Sequence, residues 1–231
     1  MELWQTRKAK CLSIIGKALQ FPRQRGPFPT SEIELNREFY FCLLTASREL
    51  YPDDEIAPVT ECSNQPDPDD EARARRELKR PDFQWIYLDR YEPDPQRSSR
   101  QFVAECKRLG VAHRPDWILN LNYVNHGILR FRDPDWAYAK LASSGAMIGY
   151  WQSMQPEQLL MEINEECGRK KFPIVNIVGA WLLAERPAWS TSLIVSGKSH
   201  LSNYTTSGLI CDRRIQKSVV HAHSVEDALM H

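Results

Sequence analysis

The stretch "RPDFQWIYLDRYEPDPQRSSRQFVAECKRL", residues 80–109, sets an acid at the mouth of one apolar run and Glu-Cys-Lys near the end of the next. "FQWIYL" (83–88) is aromatic and branched, the composition of a strand, and "EPDPQRSS" (92–99) is turn material. "QFVAECKRL" (101–109) reads as a second strand. An antiparallel hairpin with its tip near Pro93 to Pro95 pairs residues whose numbers add to about 187–189, which sets Asp82 opposite Glu105 or Lys107. Side chains alternate along a strand, so Val103, Glu105 and Lys107 share one face while Phe102, Ala104 and Cys106 share the other. Both faces are partly apolar, which is not the pattern of a hairpin with one side in water. Burying an unpaired acid is costly, so these charges must meet something.

Two carboxylates a few ångströms apart repel each other and invite a divalent cation. Magnesium prefers hard oxygen ligands and keeps several waters. The bound cation can activate a water and neutralise charge developing on a phosphate. A lysine two residues beyond the glutamate can orient that water or stabilise the transition state. The structural alternative is a salt bridge from Lys107 to Glu105 or Asp82 at a sheet edge.

The surroundings of the hairpin supply further elements. Residues 31–51 read as a long helix with an apolar stripe of Leu35, Phe39, Leu43, Ala46 and Leu50. Ser31 with Glu34 forms a capping-box pattern at its start. Glu34 and Glu38 lie one turn apart beside the stripe. Downstream, Trp117 to Leu129 reads as helical, "DPDWAYAKLASSG" as a helix crossing back, and "AMIGYWQ" as a short buried strand flanked by Gly145 and Gly149. "PEQLLMEINEECGRK" is an amphipathic helix opened by Pro156 and stopped by Gly168. The second Pro-Asp, Pro115-Asp116, has no acid-x-lysine strand after it.

This constellation resembles the PD-(D/E)XK nuclease superfamily, the restriction-endonuclease-like fold, over residues 31–151. The matching residues are Pro81-Asp82 and Glu105-Cys106-Lys107. The resemblance implies an α/β fold with a mixed sheet core flanked by helices, and N- and C-terminal additions to it. Residues 1–30 form an N-terminal extension, 31–231 the nuclease-like domain, and the C-terminal additions begin after about 155. It implies Asp82, Glu105 and Lys107 as catalytic residues, with Asp82 and Glu105 holding Mg2+, or Mn2+ in its place. Glu38, set further into the helix than Glu34, is the preferred third ligand. The implied activity is metal-dependent hydrolysis of phosphodiester bonds in DNA, leaving 5'-phosphate and 3'-hydroxyl ends, and restriction or defence against foreign DNA suits it. Repair, exonuclease and junction-resolving enzymes of the same fold are the alternatives, as is a catalytically inactive nucleic-acid-binding module. A homodimer would let two sites cut two strands, although the chain carries no dimer signature.

Composition sets the wider limits. The 231 residues are 42% apolar and 26% charged, enough for a real core. Thirty basic residues balance thirty acidic ones, so net charge is silent on nucleic acid, and only local patches can signal it. Six scattered cysteines without a close pair, and no secretory leader in view, read as reduced thiols of a cytoplasmic protein. No apolar run approaches a membrane span.

The basic run from Arg73 to Arg80 stands directly before Asp82. If it is helical, Arg73, Arg76 and Arg80 share a face that can grip DNA phosphates; the alternative is a solvated helix balancing the acids of "DPDDE". Lys198 and His200, in "SGKSH", are further candidates for phosphate contact. That stretch lacks the first glycine of a phosphate-binding loop, since Ser192 stands there and Leu193 follows. Cys211, His221 and His223 lack a fourth partner for structural zinc. The seven tryptophans are spread along the chain, form no stacking stripe, and are expected mostly in the core.

Overall fold

The β2–β3 hairpin forms with the register expected from its sequence. In the computed structural model, β2 (Phe83–Leu88) pairs antiparallel with β3 (Ser99–Leu109). Phe83 faces Ala104 and Trp85 faces Phe102, pairs whose numbers add to 187. The tip is a 3-10 turn at Pro95–Arg97, entered through Asp94, whose side chain accepts from Gln96 N. The structure describes residues 4–21, 31–66, 68–112, 114–138, 145–172 and 175, and the backbone of 144, 192–196 and 205–209.

Around the hairpin lie α1 (Trp4–Ala18), α2 (Glu32–Leu50), the short β1 (Val59–Thr60), α3 (Arg73–Glu77), α4 (Leu119–Asn125), β4 (Ser144–Trp151) and α5 (Pro156–Arg169). β1 joins β2 antiparallel, and β4 lies parallel to β3, with Glu105 beside Met147 and Lys107 beside Gly149. These four strands make a mixed sheet flanked by helices. The backbones of β5 (Ser192–Ser196) and β6 (Thr205–Leu209) extend it antiparallel, in the order β1 to β6.

Strand alternation divides the apolar residues between two cores. Phe83, Trp85, Phe102, Ala104, Cys106, Ala146, Ile148 and Tyr150 pack beneath α1 and α2. Leu109 and Met147 pack on the other face with Tyr123 and Val124 of α4 and Leu159 and Ile163 of α5. The α2 stripe of Leu35, Phe39, Leu43 and Ala46 is fully buried, and truncating Phe39 to Ala there would cost about 3–5 kcal/mol. The N-terminal extension is part of this body: Cys11, Ile14, Ile15 and Ala18 of α1 enter the same core. Among the described residues no helix is long and apolar enough to cross a membrane.

Several local expectations are corrected. Ser31 makes no side-chain cap and Glu34 is exposed, so α2 begins without a capping box. Parallel strands require a crossover, and α4 lies on it; of "DPDWAYAKLASSG", residues 133–138 are described and form no helix, while 139–143 lie outside the described residues. Within the latter, Asp133 Oδ1 accepts from Asp135 N, its carbonyl accepts from Trp136 N and Ala137 N, and Ala137 takes φ 47°. That local bonding competes with a helix. Asn120 locks the crossover, accepting from Gly110 N at 3.0 Å and donating to Glu162 at 2.8 Å. The helix expected over Trp117 to Leu129 breaks at His126–Gly127, where a Cβ on Gly127 would collide with the Tyr123 carbonyl and the Met147 side chain. α5 runs through Gly168. It closes instead at Lys171 (φ 55°), with Phe172 N bonded to the Cys167 carbonyl.

Candidate active site

Asp82 stands immediately before β2, after the last β2–β3 ladder pair. Beyond that pair the Cys106 N–H needs another acceptor, and Asp82 Oδ2 provides it at 2.7 Å. Asp82 Oδ1 accepts from Asn36 Nδ2 at 2.8 Å, and the Tyr150 hydroxyl donates to Asn36 Oδ1 at 2.6 Å. A chain of bonds from β4 through α2 thus fixes the carboxylate against β3.

Glu105 is buried, 1% exposed. Its Oε1 accepts from Lys107 Nζ at 2.9 Å and from Arg130. Its Oε2 is buried and has no hydrogen-bond partner among the described residues. Lys107 Nζ also donates to Glu32 Oε1 at 2.8 Å and to the Cys106 carbonyl at 2.7 Å. Arg130, in the 3-10 turn Ile128–Phe131, lies over the Trp136 ring at 4.0 Å. The residues expected to act together, Asp82, Glu105 and Lys107, therefore meet at one end of the hairpin. Two basic groups, Lys107 and Arg130, face three carboxylates there, Asp82, Glu105 and Glu32.

Electrostatics reflect that imbalance. Burial raises the Asp82 carboxyl, opposed by Lys107, the Cys106 N–H and Arg130. Burial and the Asp82 charge push Glu105 up to about 8. Burial alone would pull Lys107 down, but Glu105, Asp82 and Glu32 outweigh it and hold the ammonium above its ordinary value. Burial, Arg130 and Lys107 lower His126.

The α2 carboxylate at this site is Glu32, in place of Glu38 or Glu34. Glu38 lies about 240° around the helix from Glu32 and faces Cys42, whose thiol burial and Glu38 together push up to about 11. Glu32 and Asn36 are one turn apart and flank the start of the buried stripe, which is why they reach the strands. Glu32 stands two turns before Phe39, a spacing that marks it in sequence. Nothing in "GILRF" marks Arg130.

The basic run is placed differently from its expectation. Arg76 is buried, donates to the Pro134 carbonyl at 2.6 Å and pairs with Asp70. α3 is too short to hold a phosphate-gripping face, and Arg76 turns inward to anchor the 133–137 turn. Arg73 pairs with Glu77 at 2.6 Å, Arg75 with Asp135 at 2.9 Å, and Lys79 lies over Trp136. Arg80 is exposed. Lys198, His200, His113, Cys211, His221 and His223 lie outside the described residues.

Magnesium is commonly held by only one or two carboxylates, with water and substrate phosphate completing its shell. Among the described residues no group of three His, Cys, Asp or Glu side chains converges to hold a metal ion by itself. The two strand carboxylates fit that smaller demand. Glu105 Oε2 is an orphaned buried oxygen, and each Asp82 oxygen accepts one bond and keeps a lone pair. The chain matches no protein-family model and no curated protein sequence.

Proposed function

We propose that this chain is a metal-dependent DNA endonuclease of the PD-(D/E)XK type, hydrolysing phosphodiester bonds, with restriction or defence against foreign DNA as its setting. The observation that carries the reading is the meeting of Asp82 with Glu105 and Lys107 from separate strands, one buried Glu105 oxygen being left unpartnered. The order of elements supports it: a helix, the short β1, α3, the β2–β3 hairpin, a crossover helix, and a strand parallel to β3.

Asp82 and Glu105 would hold Mg2+, with Glu32 the nearest helix carboxylate. The ion, when bound, activates water and offsets charge on the phosphate. Asp82 is held in place by Asn36 and the Cys106 N–H, so its oxygens need not reorganise. Glu105 must lose its proton to serve, which couples metal binding to proton release. Lys107 stays protonated and donates hydrogen bonds. All three of its N–H groups are engaged, by Glu105, Glu32 and the Cys106 carbonyl, so one must leave its acceptor to reach a phosphate oxygen or the attacking water, where it would stabilise developing charge.

The Arg130 guanidinium on Glu105 Oε1 favours one other reading, a non-catalytic DNA-binding module in which an internal cation replaces the metal. A cleavage assay on plasmid and oligonucleotide DNA, with Mg2+ or Mn2+ and with chelator, separates the two. The nuclease reading predicts cleavage that chelator abolishes, and a loss of at least about 100-fold in Lys107→Ala. Equal cleavage by Lys107→Ala and wild type would remove Lys107 from the mechanism. Metal-independent DNA binding without cleavage of any tested DNA would favour the module.

A further inference from the structure

A cleft of about 460 Å³ opens beside the acid cluster, and Lys107 and Arg130 belong to both. Arg108 and His126 also line it, while Glu32 is the one carboxylate in its wall among the described residues and already receives a hydrogen bond from Lys107. Its charged lining is thus predominantly basic, set on a wall that Trp117 and Leu119 make partly apolar. Asn122, another lining residue, carries a buried amide nitrogen with no partner among the described residues. At the rim stands Trp117, 44% exposed. The tryptophan is held there by a tight turn, its backbone N–H bonded to the Arg114 carbonyl at 2.9 Å. Trp85, by contrast, is 2% exposed in the core.

An aromatic face beside cations suits one ligand chemistry. Phosphates take the charges, and a base with an open face stacks on the ring. A base inside a duplex has both faces covered by its neighbours and cannot do so. We infer that this cleft binds an unpaired nucleotide of a DNA strand, with its base on Trp117 and its phosphate among Arg108, Arg130 and His126. The substrate of the adjacent site is then single-stranded DNA, or DNA with a frayed, flapped or extruded nucleotide, rather than an undisturbed duplex. The inference rests on the nuclease reading for that last step, but the binding claim does not.

The test uses the full chain in chelator, so that no strand is cut. Binding of three fluorescent probes is followed by anisotropy: a 20-nucleotide oligothymidylate, a blunt 20-base-pair duplex, and an abasic backbone of the same length as the first. Wild type should bind oligothymidylate about tenfold or more tighter than the abasic strand, and tighter than the duplex. Trp117→Ala should lose about tenfold on oligothymidylate and little on the other two, while Trp117→Phe restores most of it. Equal affinity of wild type for oligothymidylate and the abasic strand would overturn the inference without reference to any variant. So would an equal loss by Trp117→Ala on all three probes. Cleavage that depends on Lys107 but shows no preference for unpaired DNA would sink this inference and leave the nuclease reading standing. Trp117-dependent binding with no cleavage would do the reverse.

Discussion

Two charged stretches compete for attention before β2, and the structure treats them in opposite ways. Around Arg73 to Lys79, most cations find a partner close by: Glu77, Asp135, Asp70, the Pro134 carbonyl and the Trp136 ring. Around Asp82 the partners come from α2, β3 and the turn after α4, and they do not complete the set, since Glu105 Oε2 is left over. Density of charge along the chain therefore says little about chemistry. What distinguishes the second region is burial together with an unbalanced, incompletely bonded set of acids, and such groups concentrate at functional sites.

The largest expected difference between the regions is in cleavage. Lys107→Ala should cost at least about 100-fold, while Arg73→Ala should stay within about twofold in the same assay. A comparable loss in Arg73→Ala would break the comparison. Arg76→Ala should invert the pattern: it leaves Asp70, 4% exposed, buried without its cation, at a cost of roughly 3–5 kcal/mol in urea unfolding, with cleavage per folded molecule preserved. Unchanged stability would show that Arg76 is not the anchor described.

Glu105→Gln sharpens the electrostatic half. The folded protein holds the Glu105 proton up to about pH 8, whereas an unfolded chain loses it near the usual carboxylate range. The stability tied to that carboxyl is therefore fully present below the unfolded pKa and declines as pH rises towards 8. An amide cannot ionise. Relative to wild type, Glu105→Gln should gain roughly 1–3 kcal/mol between pH 5 and pH 8.5, measured by denaturant melts across that range. A gain that is absent, or that grows towards low pH, would contradict the burial and acid–acid repulsion described. Smaller still is the effect of neutralising Arg73, Arg76 and Arg80 on the salt dependence of DNA binding. Arg76 is buried and Arg73 paired, so the slope should fall by no more than about one unit, against about three for a full phosphate-gripping face.

The hairpin and its register were legible because strand alternation and turn chemistry are local. The same alternation put Glu105 and Lys107 on one face, and the length of the turn set Asp82 opposite. The α2 stripe was legible for a similar reason. The helix carboxylate is legible only in part: its spacing before Phe39 sets Glu32 beside the stripe, but Glu34 and Glu38 also lie beside it, and only the docking of α2 selects among them. Arg130 and Asn36 depend on how α4 and α2 dock on the sheet, a tertiary fact with no local signature. The inward turn of Arg76 likewise depends on the 133–137 turn, which side-chain bonding by Asp133 forms where a helix was expected. Trp117 departs from the expectation that the tryptophans lie mostly in the core, because sequence spacing alone does not separate a rim aromatic from a buried one.

The central claim, that the end of the hairpin holds a divalent cation, is tested most directly by Mn2+ titration followed through the paramagnetic signal of the free ion. Wild type should bind Mn2+, with affinity that rises with pH as Glu105 ionises. Glu105→Gln and Asp82→Asn should each lose about tenfold or more in affinity, Glu32→Gln less, and Glu38→Gln should match wild type. Undiminished binding by both Glu105→Gln and Asp82→Asn would contradict the account, and loss in Glu38→Gln alone would move the site to another face of α2.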